Sequence, residues 1–202
     1  MNIVTLPRVI GIYSPVPHCG KSTLASLLRD RTPDSVRIIP FAGPLKKFAQ
    51  DFLVQIAGLS AERAVHHLFT DKNEPIHALG GATGRVVLQR IGGCGRQIDP
   101  DIWVRKWHRC ASAALAVGTS VIADDVRARN EATAVKNLGG EMWHLSRASA
   151  EAEADPDVTA DVSEGALADW PFDRSFHNDW TTDELIEAAM HDLHTFPPTC
   201  QG

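Results

Sequence analysis

Ser14-Pro15-Val16-Pro17-His18-Cys19-Gly20-Lys21-Ser22 is the stretch from which the rest of this chain can be read. An apolar run, Val9-Ile10-Gly11-Ile12-Tyr13, precedes it, and a helical pattern, Thr23-Leu24-Ala25-Ser26-Leu27-Leu28, follows. Strand, tight loop, Gly-Lys-Ser and helix make the arrangement of a phosphate-binding loop, the P-loop. Backbone N–H groups of such a loop and of the helix start bind phosphate oxygens. Gly20 lets the backbone approach the phosphates with no side chain in the way. Lys21 would reach the β- and γ-phosphates, and the Ser22 hydroxyl would coordinate Mg²⁺. His18, Cys19 and Thr23 are the neighbouring positions expected to contact a nucleotide. Pro15 stands where the motif carries its first glycine. Because proline fixes φ and removes a donor, the loop must begin differently from the common form.

Composition suits one domain with a full core: 202 residues, 44% hydrophobic and 22% charged. The net charge of −5 argues against a dedicated nucleic-acid binder. That charge is unevenly placed. Residues 151–169 hold seven acids and no Lys or Arg, so the remainder, at +2, could take an anionic substrate. The four cysteines, Cys19, Cys94, Cys110 and Cys200, show no paired spacing, so neither a metal site nor a disulfide framework is expected. With no apolar run of membrane-spanning length and no basic-then-apolar leader, a cytoplasmic location is expected, with no membrane partner.

Strand patterns fall at Val9–Tyr13, Val36–Phe41, Ser120–Ala123, Glu141–Leu145 and Arg174–His177. Helical patterns lie between them: Ser22–Arg29, Pro44–Ala57, Ala61–Leu68, Val86–Ile91, Ile102–Ala116, Glu131–Leu138 and Thr182–Leu193. Alternation of this kind predicts an α/β fold with a parallel sheet covered on both faces. Residues 44–118 are too many for a simple crossover and predict a mainly helical insertion that shapes a substrate site. The glycines clustered there (Gly80, Gly81, Gly84, Gly92, Gly93, Gly95) suit a mobile loop or close backbone approach. Residues 148–169 are expected to form an acidic lid or loop. His66-His67 is expected at the surface, and most of the five tryptophans in the core.

Three further groups carry chemistry. Val121-Ile122-Ala123-Asp124-Asp125-Val126-Arg127 is an apolar strand ending in acids, where a carboxylate can serve a metal beside the P-loop. Strand alternation would send one of Asp124 and Asp125 toward the site and the other away, without saying which. Phe41-Ala-Gly-Pro-Leu-Lys46-Lys47 places lysines that could pair with an acceptor phosphate. Gly84-Arg85-Val-Val-Leu-Gln89-Arg90-Ile-Gly-Gly-Cys-Gly-Arg96, before Asp101-Ile-Trp103-Val104, gathers three planar cations near glycines and suggests a second anion site.

Taken in order, these motifs and Asp124-Asp-Val-Arg-x-x-Asn-Glu131 resemble the deoxynucleoside monophosphate kinases of bacteriophages and prophages. The likeness runs on through Gly139-Gly140, the strand ending at Arg147, Ser163-Glu164 and Asn178, and so covers most of the chain. It implies a three-layer P-loop kinase sandwich in a single domain, residues 1–202, with its five strands in the order 2-3-1-4-5. It also implies transfer of the ATP γ-phosphoryl group to a deoxynucleoside monophosphate, with Mg²⁺. Under that resemblance Lys21 and Ser22 serve ATP and metal, and Asp124 or Asp125 serves the metal. With Asp124 taken as the ligand beside Ser22, Asp125 joins Lys21, Arg96 and Arg127 in the catalytic set. Phe41, Lys46, Arg85, Arg90, Arg96 and Trp103 would surround the acceptor. Arg127 and Glu131 would orient the acceptor or its pocket, and Arg147 would begin the lid and contact ATP. Many such kinases dimerise, so a homodimer is the assembly it allows. Asp161 departs from the His that the family carries two residues before its Ser-Glu.

Phosphoryl transfer needs alignment and charge stabilisation and no covalent nucleophile. The acceptor phosphate is already nucleophilic at neutral pH, so no general base is required. Two rivals remain: another small-molecule P-loop kinase resembling dephospho-coenzyme A kinase, and a nucleotide-binding module without turnover.

Overall fold

In the computed structural model, residues 6–17, 19–32, 35–148, 166–179 and 181–198 are described. They form two compact units. One comprises residues 1–40 and 108–202, the other residues 41–107.

The first unit is built on a five-stranded parallel sheet: β1 (Val9–Tyr13), β2 (Val36–Ile38), β5 (Ser120–Val126), β6 (Glu141–Ser146) and β7 (Arg174–His177). They lie in the order β2-β5-β1-β6-β7. Counted within this sheet alone, that is 2-3-1-4-5. Every residue of β1 is buried, which is why its sequence is a continuous apolar run and not an alternating one. The two faces of β1 meet different helices. Ile10 and Ile12 share a core with Leu24 and Leu28 of α1 (Lys21–Arg31) and with Leu185, Ile186 and Ala189 of α7 (Thr182–Thr195). Gly11 points the other way, toward α6 (Arg129–Asn137). A Cβ there would lie 2.6 Å from Met142 Sδ and 3.0 Å from Val135. Helices thus cover both faces, as strand alternation requires.

Two ends in this unit follow directly from local chemistry. Gly139, at φ 70°, terminates α6. Thr181 and Glu184 cap each other at the start of α7: the Glu184 N–H donates to Thr181 Oγ1 at 3.3 Å, and the Thr181 N–H to Glu184 Oε2 at 2.9 Å.

Some boundaries differ from the sequence reading. β2 stops at Ile38, because Pro40 cannot extend a ladder. β5 continues past Ala123 to Val126, so both aspartates lie within the strand. The pairing with β1 shifts register there: Gly11 opposes Ala123, whereas Tyr13 opposes Val126. Asp124 and Asp125 therefore occupy a bulge, where simple alternation no longer assigns faces.

The second unit contains α2 (Gly43–Gln55), α3 (Ala61–Val65), a π-helical turn (His66–Thr70), a short antiparallel ribbon of β3 (Pro75–Ile76) and β4 (Ala82–Thr83), and α4 (Gly84–Ile98). Helix α5 (Ile102–Ala116) begins in it and ends in the first unit. Its core joins Ala49, Leu53, Ala64, Leu68, Ile76 and Val87.

Gly92, Gly93 and Gly95 belong to α4 and form no mobile loop. Two of them permit close packing. A Cβ on Gly95 would sit 2.7 Å from the Trp103 ring, and one on Gly92 would sit 3.1 Å from Leu45. Tertiary packing here overrides the weak helix propensity of glycine. His67 is likewise not at the surface: it is 2% exposed, on the inner side of the π turn.

Candidate functional site

The Ser14–Ser22 stretch runs from the end of β1 to the first turn of α1. Gly20, at φ 92° and ψ 16°, is the N-cap of α1, and no side chain caps that helix end. The first turn carries no acid. Since the first N–H groups of a helix have no intrahelical acceptor and carry a partial positive charge, this end of α1 suits an anion. One loop carbonyl, that of Val16, is held by side chains from both ends of the loop. Ser14 Oγ donates to the Val16 carbonyl at 3.1 Å, and Lys21 Nζ reaches back to the same oxygen at 3.3 Å. Val16 and Cys19 are buried in the core beneath, which anchors the loop. His18 lies outside the described residues.

Ser22 Oγ donates to Asp124 Oδ2 at 2.5 Å. A hydroxyl and a carboxylate oxygen brought together are hard oxygen donors of the kind Mg²⁺ prefers, so Ser22 and Asp124 fit the metal expected there. Asp125, the next residue of the bulge, is near enough for its charge to act on Glu131. Glu131 Oε2 accepts from the backbone N–H groups of Arg127 (2.7 Å) and Ala128 (3.1 Å) and so caps the start of α6. Ala128 has no side-chain acceptor to return the bond, and a second cap comes from Asn130, whose Oδ1 accepts from the Glu131 N–H at 3.0 Å. Desolvation pushes the Glu131 carboxyl up to about 7. The Asp125 charge adds to the shift, and the two N–H bonds and the Arg127 charge oppose it.

A cleft of about 470 Å³ opens beside the loop. It is lined by Cys19, Gly20, Lys21, Ser22 and Thr23, by Arg147 just past β6, by Asn178 just past β7, and by Thr181, Thr182 and Leu185 at the start of α7. The lining comes from the carboxyl ends of parallel strands, the usual ligand position in an open α/β sheet. Arg147 Nε is buried and has no hydrogen-bond partner among the described residues. Sequence reasoning reached the loop and Arg147. It gave Asn178 no role and did not place Thr181, Thr182 or Leu185 at the cleft. The available signal was position: each follows the end of the last strand.

The remaining candidates lie in the second unit, apart from Arg127, which is exposed after β5. Phe41 is 2% exposed and stacks on Trp107 with ring centroids 4.2 Å apart. Lys46 Nζ lies 5.2 Å over the Phe69 ring, and Lys47 pairs with Asp51. Arg85 Nε donates to Asn73 Oδ1 at 3.1 Å. Trp103 Nε1 donates to the Gly92 carbonyl at 3.2 Å. Arg90 and Arg96 are exposed on α4. Of the stretch 148–169 expected to be an acidic lid or loop, residues 149–165, including Asp161, Ser163 and Glu164, lie outside the described residues. No helix among the described residues is long and apolar enough to cross a membrane.

No protein-family description matches this chain. No curated protein matches it either. Among solved structures, an unliganded sugar kinase from Janibacter sp. HTCC2649 matches with a TM-score of 0.51 at 15% identity, covering 95% of this chain and 96% of that one. At that identity the likeness is one of fold: the chain has a kinase-like α/β fold.

Proposed function

We propose that the chain is an ATP- and Mg²⁺-dependent kinase that transfers a phosphoryl group to a deoxynucleoside monophosphate. The observation that supports it most is the start of α1: an uncapped, glycine-opened helix end bearing Lys21, with Ser22 bonded to Asp124. In this reading the helix N-terminus and Lys21 hold the donor phosphates, and the Arg147 guanidinium, which lines the same cleft, meets the same anion. Ser22 and Asp124 hold the metal, which when bound supplies charge neutralisation at the phosphates. Asp125 and Glu131 act behind the site, through the backbone at Arg127. Arg127 and Arg96 supply charge to the transferring group, while Lys46, Arg85, Arg90 and Trp103 are the acceptor-side groups. The acceptor assignment rests on the motif series alone.

A second reading, a kinase for another small molecule, is favoured by one observation: the matching fold belongs to a protein described as a sugar kinase. A single assay separates the two. ADP formation from Mg·ATP is measured with each common deoxynucleoside monophosphate, its ribose counterpart, and a panel of sugars and sugar acids. The first reading expects acceptor-dependent ADP with one or more deoxynucleoside monophosphates, lost in Lys21→Ala. Turnover with a sugar alone, or ATP binding with no acceptor at all, would overturn it. Arg96→Ala is expected to raise KM for the monophosphate more than KM for ATP.

A further inference from the structure

One peptide of the Ser14–Ser22 loop, Cys19–Gly20, is held from a distant part of the chain. Asn178 follows β7, and its backbone N–H donates to the Ser146 carbonyl at 2.8 Å, which continues the β6–β7 pairing by one residue. Its side chain is 7% exposed, and Nδ2 donates to the Cys19 carbonyl at 2.7 Å. The same amide packs against Gly20, where any Cβ would run into Nδ2. None of the described peptide bonds is cis. A trans peptide is planar with N–H and C=O on opposite sides. Holding the Cys19 carbonyl against Asn178 therefore turns the Gly20 N–H the opposite way. A free Cys19 carbonyl could swing toward the helix end and present an oxygen to an incoming anion.

We propose that Asn178 is a positioning residue for the phosphate-binding loop: it locks the Cys19–Gly20 peptide so that the Gly20 N–H, and not the Cys19 carbonyl, is offered to the donor's phosphates. This rests on reading Ser14–Ser22 as a phosphate-binding loop. The rival role for Asn178, which also lines the cleft, is a direct contact to the nucleotide's base. The two roles differ in what they act on. Loop positioning affects every polyphosphate ligand, whereas a base contact affects only ligands that carry the base.

The test is calorimetric binding of Mg·ATP and of Mg·tripolyphosphate to the full chain, wild type and Asn178→Ala, with circular dichroism of both. The expected result is a rise of about tenfold or more in Kd for both ligands, by similar factors, in a variant with unchanged helix content. Tripolyphosphate affinity within twofold of wild type would overturn the inference, and weakened ATP with unchanged tripolyphosphate would assign Asn178 to the base. If Asn178→Ala does not fold, the isosteric Asn178→Asp is read at several salt concentrations. Repulsion by the new charge fades with salt, whereas loss of the donor does not, so a weakening that persists supports positioning and one that vanishes overturns it. A wild-type chain that binds neither ligand would overturn the phosphate-loop reading itself, a result distinct from failure of the Asn178 role.

Discussion

Ser22 and Asp124 lie 102 residues apart in the chain, yet the Ser22 hydroxyl donates to Asp124 Oδ2 at 2.5 Å. The register of β1 with β5 makes this pairing: the Tyr13 end of β1 leads into the loop, and the bulge opposite it carries the aspartate. Asp124→Asn would leave the side chain's size but remove its charge. The Mg²⁺ concentration giving half-maximal turnover is expected to rise by about tenfold or more, since the metal loses an anionic oxygen. A Mg²⁺ titration of initial rate checks it, and an unchanged midpoint would take Asp124 out of the metal site.

Lys21 is the charged residue of the first turn of α1, whose N-cap is a glycine. Lys21→Ala is expected to lower turnover by about 10²-fold or more, because charge aimed at transferring phosphates is a large part of catalysis. The fold should persist, as Lys21 is only half-buried and packs in no core. Near-normal turnover with an unaltered circular dichroism spectrum would refute the role.

Gly20 has a backbone conformation that L side chains rarely adopt and touches Asn178. Gly20→Ala combines φ strain with a clash and is expected to cost about 1–3 kcal/mol of stability. Nucleotide binding should weaken as well, because relief of the clash moves either the loop or Asn178. Denaturant unfolding and a binding titration on the same sample read both effects.

Glu131 gives a pH signature of stability. Its folded carboxyl titrates near 7, raised above the ordinary 4.5 chiefly by desolvation. Between those two values the folded state binds more protons than the unfolded one, so stability falls as pH rises through the window. The side chain is partly exposed, so the effect is roughly 1–2 kcal/mol, less than the full shift would give. Glu131→Gln keeps an acceptor for the Arg127 and Ala128 N–H groups and is expected to flatten that slope. Unfolding midpoints measured from pH 4.5 to 7.5 in both proteins would show it, and parallel slopes would remove Glu131 as the source.

In the second unit, Gly95→Ala should destabilise even though alanine is the better helix former. Its Cβ would meet the Trp103 ring at 2.7 Å, and overpacking of this kind costs about 1–3 kcal/mol. Tryptophan fluorescence during unfolding reports the change. A stabilised variant would mean that Trp103 repacks freely.

What could be read from the residues alone was local. The Val9–Tyr13 run, the Gly-Lys-Ser after it and the helix beyond need only near neighbours and short-range chemistry, and the structure places them as strand, loop and helix. The Thr181 capping box and the Gly139 stop follow the same logic. Partners distant in sequence were decided by tertiary structure. Which of Asp124 and Asp125 meets Ser22 was hidden because the bulge breaks the alternation that would have assigned them. The helical state of Gly92 and Gly95 depends on Leu45 and Trp103 filling the space a side chain would take. His67 is buried within the π turn, where its sequence neighbours alone do not predict burial. Asn178, 159 residues from Cys19, meets the loop only because parallel strands bring their carboxyl ends to one edge of the sheet. Periodicity and propensity act over a turn or a strand's length, and the convergence of loop, aspartate and amide is a property of the assembled sheet.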